Sequence, residues 1–446
     1  MKSINTKTIT KNTANMSFAV FISRILGLLR DMVMAKYIGT SFVSDAFNIA
    51  FIIPNLLRRL FGEGALSAAF VPIYNEFGIK RGKKYQIYFA INVLSILSFL
   101  LLVLTLLGVI FAPLIIKITY PGATTQVADL AIKLSRIMFP YLFFIGLSST
   151  LIAILNSHNK FFVTGLSSAL LNIGWIFFVL FGAIALKKEA YDLVFFAAYG
   201  VMLGGFLQTI INLPLLKKVG YQFKVILKLK SNSMLMLWKR FIPAMFGLGV
   251  REINLIIDGI IASFLPIGSI TALGFANRLM QLPLGVFGIA VGTAVLPQYS
   301  RLFTEKNIPA ISETLKYSIK MILLLLLPTS IIMILGSDFI VSMLLQRGLF
   351  DEVSVQMTSK ALICYTIGLS FYGLNQVVTP LFYAAKDTKT PVIIATFMVV
   401  LNIILNLILM QFLQHAGLAL STSITAAVQF IILLIMVKKK RLLWTK

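Results

Sequence analysis

Acidic side chains are scarce in this chain: 15 Asp and Glu stand against 40 Lys and Arg in 446 residues. Charged residues of both signs make up only 12% of the sequence. There is one cysteine, Cys364, and it lies in an apolar run. A lone buried thiol excludes a disulfide framework and a thiolate metal site. The two histidines, His158 and His415, are far apart, so no metal-ligand spacing exists. No Walker A sequence occurs, which excludes direct ATP use by this chain. Gly62-Glu-Gly64 follows no strand, so it is no dinucleotide fingerprint. Asp387-Thr-Lys-Thr-Pro is a polar turn rather than a phosphorylated-aspartate site. No small-residue cleavage site follows the first apolar run, and no cleaved signal peptide is expected. No enzyme motif and no cofactor site is apparent.

What the chain has in abundance is apolar surface. It is 59% hydrophobic, with a mean hydropathy of +0.93. That is too apolar for a soluble globular protein. A spanning helix needs about 20 mostly apolar residues. Twelve candidates follow, at 14–37, 43–77, 86–116, 126–156, 161–186, 191–216, 237–265, 268–302, 309–336, 354–384, 391–411 and 416–437. The expected class is an all-α polytopic membrane protein.

The net charge of +25 would suggest nucleic acid in a soluble protein. Here the basic residues cluster in loops between apolar runs, where they set topology and argue against nucleic acid. With the N-terminus inside, 26 of the 40 fall on the inner side, 7 on the outer, and 7 arginines lie in helices. Both termini are thus expected in the cytoplasm, with the chain in a bacterial inner membrane.

A weak internal repeat divides the chain. Ala65-Leu-Ser-Ala-Ala-Phe-Val-Pro-Ile-Tyr resembles Ala290-Val-Gly-Thr-Ala-Val-Leu-Pro-Gln-Tyr. The reading is two six-helix lobes, 1–216 and 241–446, joined by a basic cytoplasmic linker, 217–240. Two such lobes suggest a parallel-repeat transporter with a site near mid-membrane between them. Pro54, Pro140, Pro243, Pro283 and Pro328 lie inside helices and free backbone groups that neighbours must satisfy.

Charges inside helices mark function by default, because each costs roughly 3 kcal/mol at bilayer depth. Arg24, Arg30 and Asp31 lie in the first span; Asp45, Arg58, Arg59 and Glu63 in the second; Arg278 in the eighth. Guanidinium forks match phosphate oxygens. Arg24, Arg30 and Arg278 therefore read as a cationic cavity for an anionic head group; buried ion pairs between helices are the alternative. Arg58 is a further cavity candidate. Arg59 and Glu63, four apart, read as a helix pair or a gate. Asp45 could partner an arginine at the outer mouth or simply cap its helix. Arg251, Asn254 and Asp258 form a polar stripe, while Asn402, Asn406 and Thr422 lie in the last two helices. These hard oxygens suit Na⁺, or Asp258 could carry a proton; interhelical hydrogen bonding is the alternative.

Several of these stretches resemble one family. They are Ser23-Arg-Ile-Leu-Gly-Leu-Leu-Arg-Asp, Asp45-Ala-Phe, Pro54-Asn-Leu-Leu-Arg-Arg-Leu-Phe with Glu63-Gly-Ala, the Ala-Phe-Val-Pro run at 69–72, and Asn277-Arg-Leu-Met-Gln-Leu-Pro-Leu-Gly-Val-Phe-Gly with the following Gly292-Thr-Ala-Val-Leu-Pro. Together they are similar to the MurJ (MviN) lipid II flippases of the multidrug/oligosaccharidyl-lipid/polysaccharide exporter superfamily. The resemblance implies two six-helix lobes around a central cationic cavity. It also implies that undecaprenyl-diphosphate-linked lipid II moves from inner to outer leaflet by alternating access, in a monomer among membrane lipids. By the same resemblance Arg24, Arg30 and Arg278 meet the diphosphate, Asp45 and Arg58 are further required residues, and Glu63 is a gate acid. Asp258, Asn402, Asn406 and Thr422 match an ion site for Na⁺ or H⁺. Here Asn277 stands where many members have Asp. Members usually carry two more helices that form a lipid-tail groove. Export of another polyprenyl-linked glycan or of a drug is the alternative within the superfamily. A non-transporting scaffold or a scramblase is the alternative outside it.

Overall fold

A computed structural model describes residues 6–59, 65–158, 160–221, 224–440 and 442. Among them the chain is all-helical, with no strand. It divides into two compact units, Met1–Glu252 and Ile253–Lys446. The basic stretch 217–240 belongs to the first.

Unit 1 opens with α1 (Thr6–Tyr37) and α2 (Phe42–Arg58). Gly39, at φ 69°, breaks the chain between them, and its N–H donates to the Met34 carbonyl at 3.0 Å. A left-handed residue ending a helix in this way favours glycine. The Ser44 hydroxyl then accepts from the Ser41 N–H at 2.8 Å and starts α2. Next comes α3 (Ala65–Ile110), broken at Gly82 (φ 81°). That break is the basic turn expected between the second and third spans. A Cβ at Gly82 would meet nothing within 4 Å, so backbone conformation rather than space requires glycine there.

The short α4 (Ala112–Thr119) leads to α5 (Thr125–Met138) and α6 (Tyr141–Ser157). The last two form one expected span, bent by 41° at Pro140. Next come α7 (Phe161–Leu180), α8 (Ala190–Ile210) and α9 (Leu213–Val219). Helices α7 and α8 pack backbone to backbone: a Cβ on Gly200 would lie 2.6 Å from Trp175 Cα, and one on Gly204 2.7 Å from Leu171 Cα. Small residues four apart let membrane helices approach this closely. Stacked rings of Phe70, Tyr74 and Phe89, with Phe77 edge-on, fill the core between α3 and its neighbours.

The long α10 (Asn232–Ala262) carries the chain from unit 1 into unit 2. Unit 2 continues with α11 (Ser269–Pro283), a π-turn at 284–288 and α12 (Ile289–Thr304). After it come α13 (Ile308–Leu335), α14 (Ser337–Leu345), α15 (Glu352–Ile367) and α16 (Leu369–Ala384). The unit closes with α17 (Lys389–Leu413) and α18 (His415–Lys439). Tyr299 is fully buried on α12, as Tyr74 is in unit 1, so the two halves of the sequence repeat share a core position.

Seven helical stretches among the described residues are long and apolar enough to cross a membrane, or eight if α5 and α6 count as one. Twelve are not reached by this measure. The stretches expected as spans around α1, α2 and α10 stand outside the set. These three carry ionised residues, Arg24, Arg30 and Asp31, Asp45 and Arg58, and Glu252 and Asp258, while Arg278 lies inside a stretch that does qualify, Ser269–Thr304.

Candidate functional site

In unit 1 the ionised residues of α1, α2 and α10 are partly buried. Arg24 and Arg30 are both half-buried on α1. Arg30 is turned onto its neighbour: its Nη2 lies 3.1 Å and its Nε 3.3 Å from Asp31 Oδ1, and Asp31 is 6% exposed. Arg24 makes no ion pair among the described residues. Beside it, Asn172 of α7 donates to the Ser23 carbonyl at 3.2 Å and fixes the helix. The two arginines thus differ. One already has a carboxylate, and the other has no ion pair among the described residues.

On α2, Arg58 is half-buried and its Nε donates to Asn55 Oδ1 at 3.0 Å. Asp45 is buried in the first turn, near Tyr120. Burial, and then the Asp45 charge, push the Tyr120 hydroxyl above its ordinary pKa. Glu63 lies outside the described residues. Arg59 has an acid all the same: its Nη1 is 3.6 Å from Glu252 Oε1 on α10. Glu252 is 8% exposed, and its second oxygen has no partner among the described residues. The sequence expectation paired Arg59 with Glu63 and passed over Glu252. The available signal was an acid inside the apolar run 237–265, where a buried carboxylate needs a cation or hydrogen-bond donors.

In unit 2, Arg278 on α11 is half-buried, with its guanidinium 5.9 Å from the Phe275 ring centroid. Next to it, Asn277 accepts from Gln281.

The polar residues of α10, α17 and α18 come together in one lattice. Asn254 donates to Asp258 Oδ2 at 3.0 Å, and Asn406 donates to Asp258 Oδ1 at 2.6 Å. Asn406 also donates to Asn402 Oδ1 at 3.1 Å. Asn402 donates to Ser421 at 3.2 Å and to Thr425 at 3.4 Å, and Ser421 donates back to Asn406. Asn402, Asn406 and Ser421 are all within 2% of full burial.

Thr422 does not join. Its hydroxyl donates to its own helix at the Leu418 carbonyl, 2.9 Å away. Ser421 and Thr425 take the expected place. They are four apart on α18, as Asn402 and Asn406 are on α17, whereas Thr422 sits about 100° round the helix. That matching spacing was the signal in the sequence. The Arg251 side chain lies outside what the structure describes. Chemically, the lattice holds one carboxylate with two amide donors and is rich in hard oxygens. No cluster of three His, Cys, Asp or Glu occurs among the described residues.

Comparison with known proteins gives a consistent answer. The family model described as "Lipid II flippase MurJ" matches residues 34–445. The chain is 36% identical over 430 residues to a probable lipid II flippase MurJ of Buchnera aphidicola subsp. Schizaphis graminum, spanning 95% of this chain and 82% of that protein. It is 33% identical to the lipid II flippase MurJ of Burkholderia cenocepacia, spanning 94% and 82% respectively. A solved lipid II flippase MurJ in an inward closed conformation superposes with a TM-score of 0.83 at 34% identity, over 95% of this chain and 87% of that one. An inward-facing multidrug resistance transporter of the MATE family, in the MOP superfamily, shares the fold with a TM-score of 0.75 at 15% identity.

Proposed function

This chain belongs to the lipid II flippase MurJ family, and on that premise we propose that Arg24, Arg30 and Arg278 bind the diphosphate of lipid II while it is moved across the membrane. As a member of the family it is a multi-pass membrane transporter of a lipid. The finer reading is movement of undecaprenyl-diphosphate-linked lipid II from inner to outer leaflet, by alternating access. It places a monomer in a bacterial inner membrane with both termini in the cytoplasm.

The observation that carries the site assignment is Arg24. It is a half-buried cation on an apolar helix with no ion pair among the described residues. Such a charge is costly at bilayer depth and is retained where an anion meets it. Arg30, on the same helix, is a second cation of this unit, and Arg278 is assigned to the diphosphate by its match to the family motif. Asp31 holds Arg30 in one orientation, so Arg30 acts as a positioned fork. Arg58 and Asp45 support the same unit. Arg59 with Glu252 makes up the gate, and Glu63 is assigned to it from the sequence alone.

The coupling ion binds at Asp258. Carboxylate, amide and hydroxyl oxygens of Asp258, Asn402, Asn406, Ser421 and Thr425 suit Na⁺ by type, since an asparagine amide can offer either its oxygen or its nitrogen. A proton on Asp258 serves the same purpose.

The test is lipid II translocation by the full chain reconstituted in vesicles. Arg24→Ala and Arg278→Ala are expected to abolish translocation and leave thermal melting unchanged. Full activity in both variants would refute the assignment. It would favour a scramblase, which needs no phosphate-binding cation.

A further inference from the structure

The stretch after α9 makes no regular structure, yet it is closely held. Asn92 of α3, 1% exposed, spends both ends of its amide on one residue: the Lys228 N–H donates to Asn92 Oδ1 at 2.8 Å, and Asn92 Nδ2 donates to the Lys228 carbonyl at 3.2 Å. The Ile226 N–H donates to Ser95 Oγ at 3.1 Å. Side chains of a helix here take the place of a neighbouring strand. Upstream, the Tyr221 hydroxyl donates to that of Tyr74 at 3.3 Å, and Tyr74 Oη lies 2.8 Å from His158 Nε2. The segment is therefore fixed at both ends to unit 1.

Successive side chains of an extended segment point to opposite faces. Ile226 packs on the core of unit 1, and the Lys228 ammonium sits 5.8 Å from the Tyr88 ring centroid. Val225 and Leu227 face the other way and are 82% and 55% exposed. Leu229, in the turn that follows, is 62% exposed. Three large apolar side chains in five residues are thus held outward by a built set of hydrogen bonds. Lys224, Lys228 and Lys230 are interleaved with them and also exposed. Between 217 and 240 there are seven basic residues and no acidic one.

The position of the segment along α3 says what covers it. Beyond the Gly82 break, the outward apolar surface of that helix begins at Phe99 and continues through Leu102, Leu106 and Ile110 to Leu114 and Ile118 on α4. Residues 99–118 match the roughly 20 residues that cross a hydrocarbon core. Asn92 and Ser95 lie one to two turns below it, at the depth of lipid head groups on the side of the basic loops. Apolar side chains interleaved with lysines, with no acid nearby, suit an interface between acyl chains and anionic phosphates.

We propose that residues 224–230 form a lipid-binding strap, with Val225, Leu227 and Leu229 in the acyl boundary and Lys224, Lys228 and Lys230 on anionic phospholipid head groups. This goes beyond the transport site: the strap would fix the depth of unit 1 in its leaflet whatever the cargo.

The test uses the full chain in a Cys364→Ser background, with a nitroxide placed by Val225→Cys, Leu227→Cys or, as an aqueous reference, Lys306→Cys. In vesicles of phosphatidylcholine and phosphatidylglycerol, labels at 225 and 227 should collide at least threefold more with oxygen than with a polar nickel complex, relative to 306. Separately, Lys224→Gln/Lys228→Gln/Lys230→Gln should lower at least threefold the ratio of phosphatidylglycerol to phosphatidylcholine retained on the purified protein, with unchanged melting. Nickel accessibility at 225 and 227 equal to that at 306 would overturn the proposal and point to a protein partner. An unchanged lipid ratio in the lysine variant would overturn the anionic-lipid assignment.

Discussion

Unit 1 carries its mid-helix polarity as formal charge, on Arg24, Arg30, Asp31, Arg58, Arg59 and Glu252. Unit 2 carries most of its own as amides and hydroxyls around a single carboxylate, Asp258. Both stand on similar helical scaffolds with an internal sequence repeat, but the energetics differ. A buried ion pair depends on both partners, and losing one strands the other. A lattice of neutral groups spreads the same satisfaction over many weaker bonds. On the proposed function, unit 1 receives an external anion, while unit 2 changes the charge of one group.

The comparison can be broken from either side. In unit 2, Asn406→Leu removes the donor to Asp258, the donor to Asn402 and the acceptor of Ser421 together. A loss of about 3 kcal/mol is expected, the upper end for unsatisfied buried polar groups, read as a clear drop in melting temperature in detergent. In unit 1, Arg59→Met leaves Glu252 without its cation. With Arg59 35% exposed, solvent screening reduces the cost to about 2 kcal/mol. Glu252→Gln should cost less, and the double variant should recover part of the loss. If both singles melted like the wild type, the pair would not hold α2 to α10.

Asp258→Asn sharpens the contrast. The amide can accept and donate in the same lattice, so melting should move by less than about 1 kcal/mol. Any dependence of transport on Na⁺ or pH should nevertheless disappear. A variant with wild-type ion dependence would remove Asp258 from coupling.

The smallest effect concerns His158, in the turn after α6. Burial first, then the Lys83 and Lys160 charges, lower its pKa below the ordinary 6.5. The folded state therefore favours the neutral ring. Its contribution to stability is complete above pH 6.5 and is lost as pH falls below that value. Melting temperature should decline from pH 7 to 5 in the wild type, and less steeply in His158→Gln. Equal slopes would show that this histidine does not matter.

Much of this was legible in the sequence. Apolar runs marked the helices, and the ionised residues within them marked the candidate site, because both signals are local. Pro140 also announced its break. The Arg59–Glu252 pair was not legible: the two residues are far apart in the chain, and only packing brings α2 to α10. That Ser421 and Thr425, rather than Thr422, make the hydrogen bonds to α17 was not legible either, since a one-residue shift on α18 turns a side chain by about 100°. The outward face of the strap was hidden for a related reason: its partners, Asn92 and Ser95, sit in an apolar span that pattern alone marks as lipid-facing.

The most direct measurement is the affinity of the purified full chain for lipid II, comparing wild type with Arg24→Ala and Arg278→Ala. If Arg24 and Arg278 hold the diphosphate, each variant should bind at least about 30-fold more weakly, the order expected when a charged partner is lost from a poorly solvated site. Wild-type affinity in both variants would contradict the account.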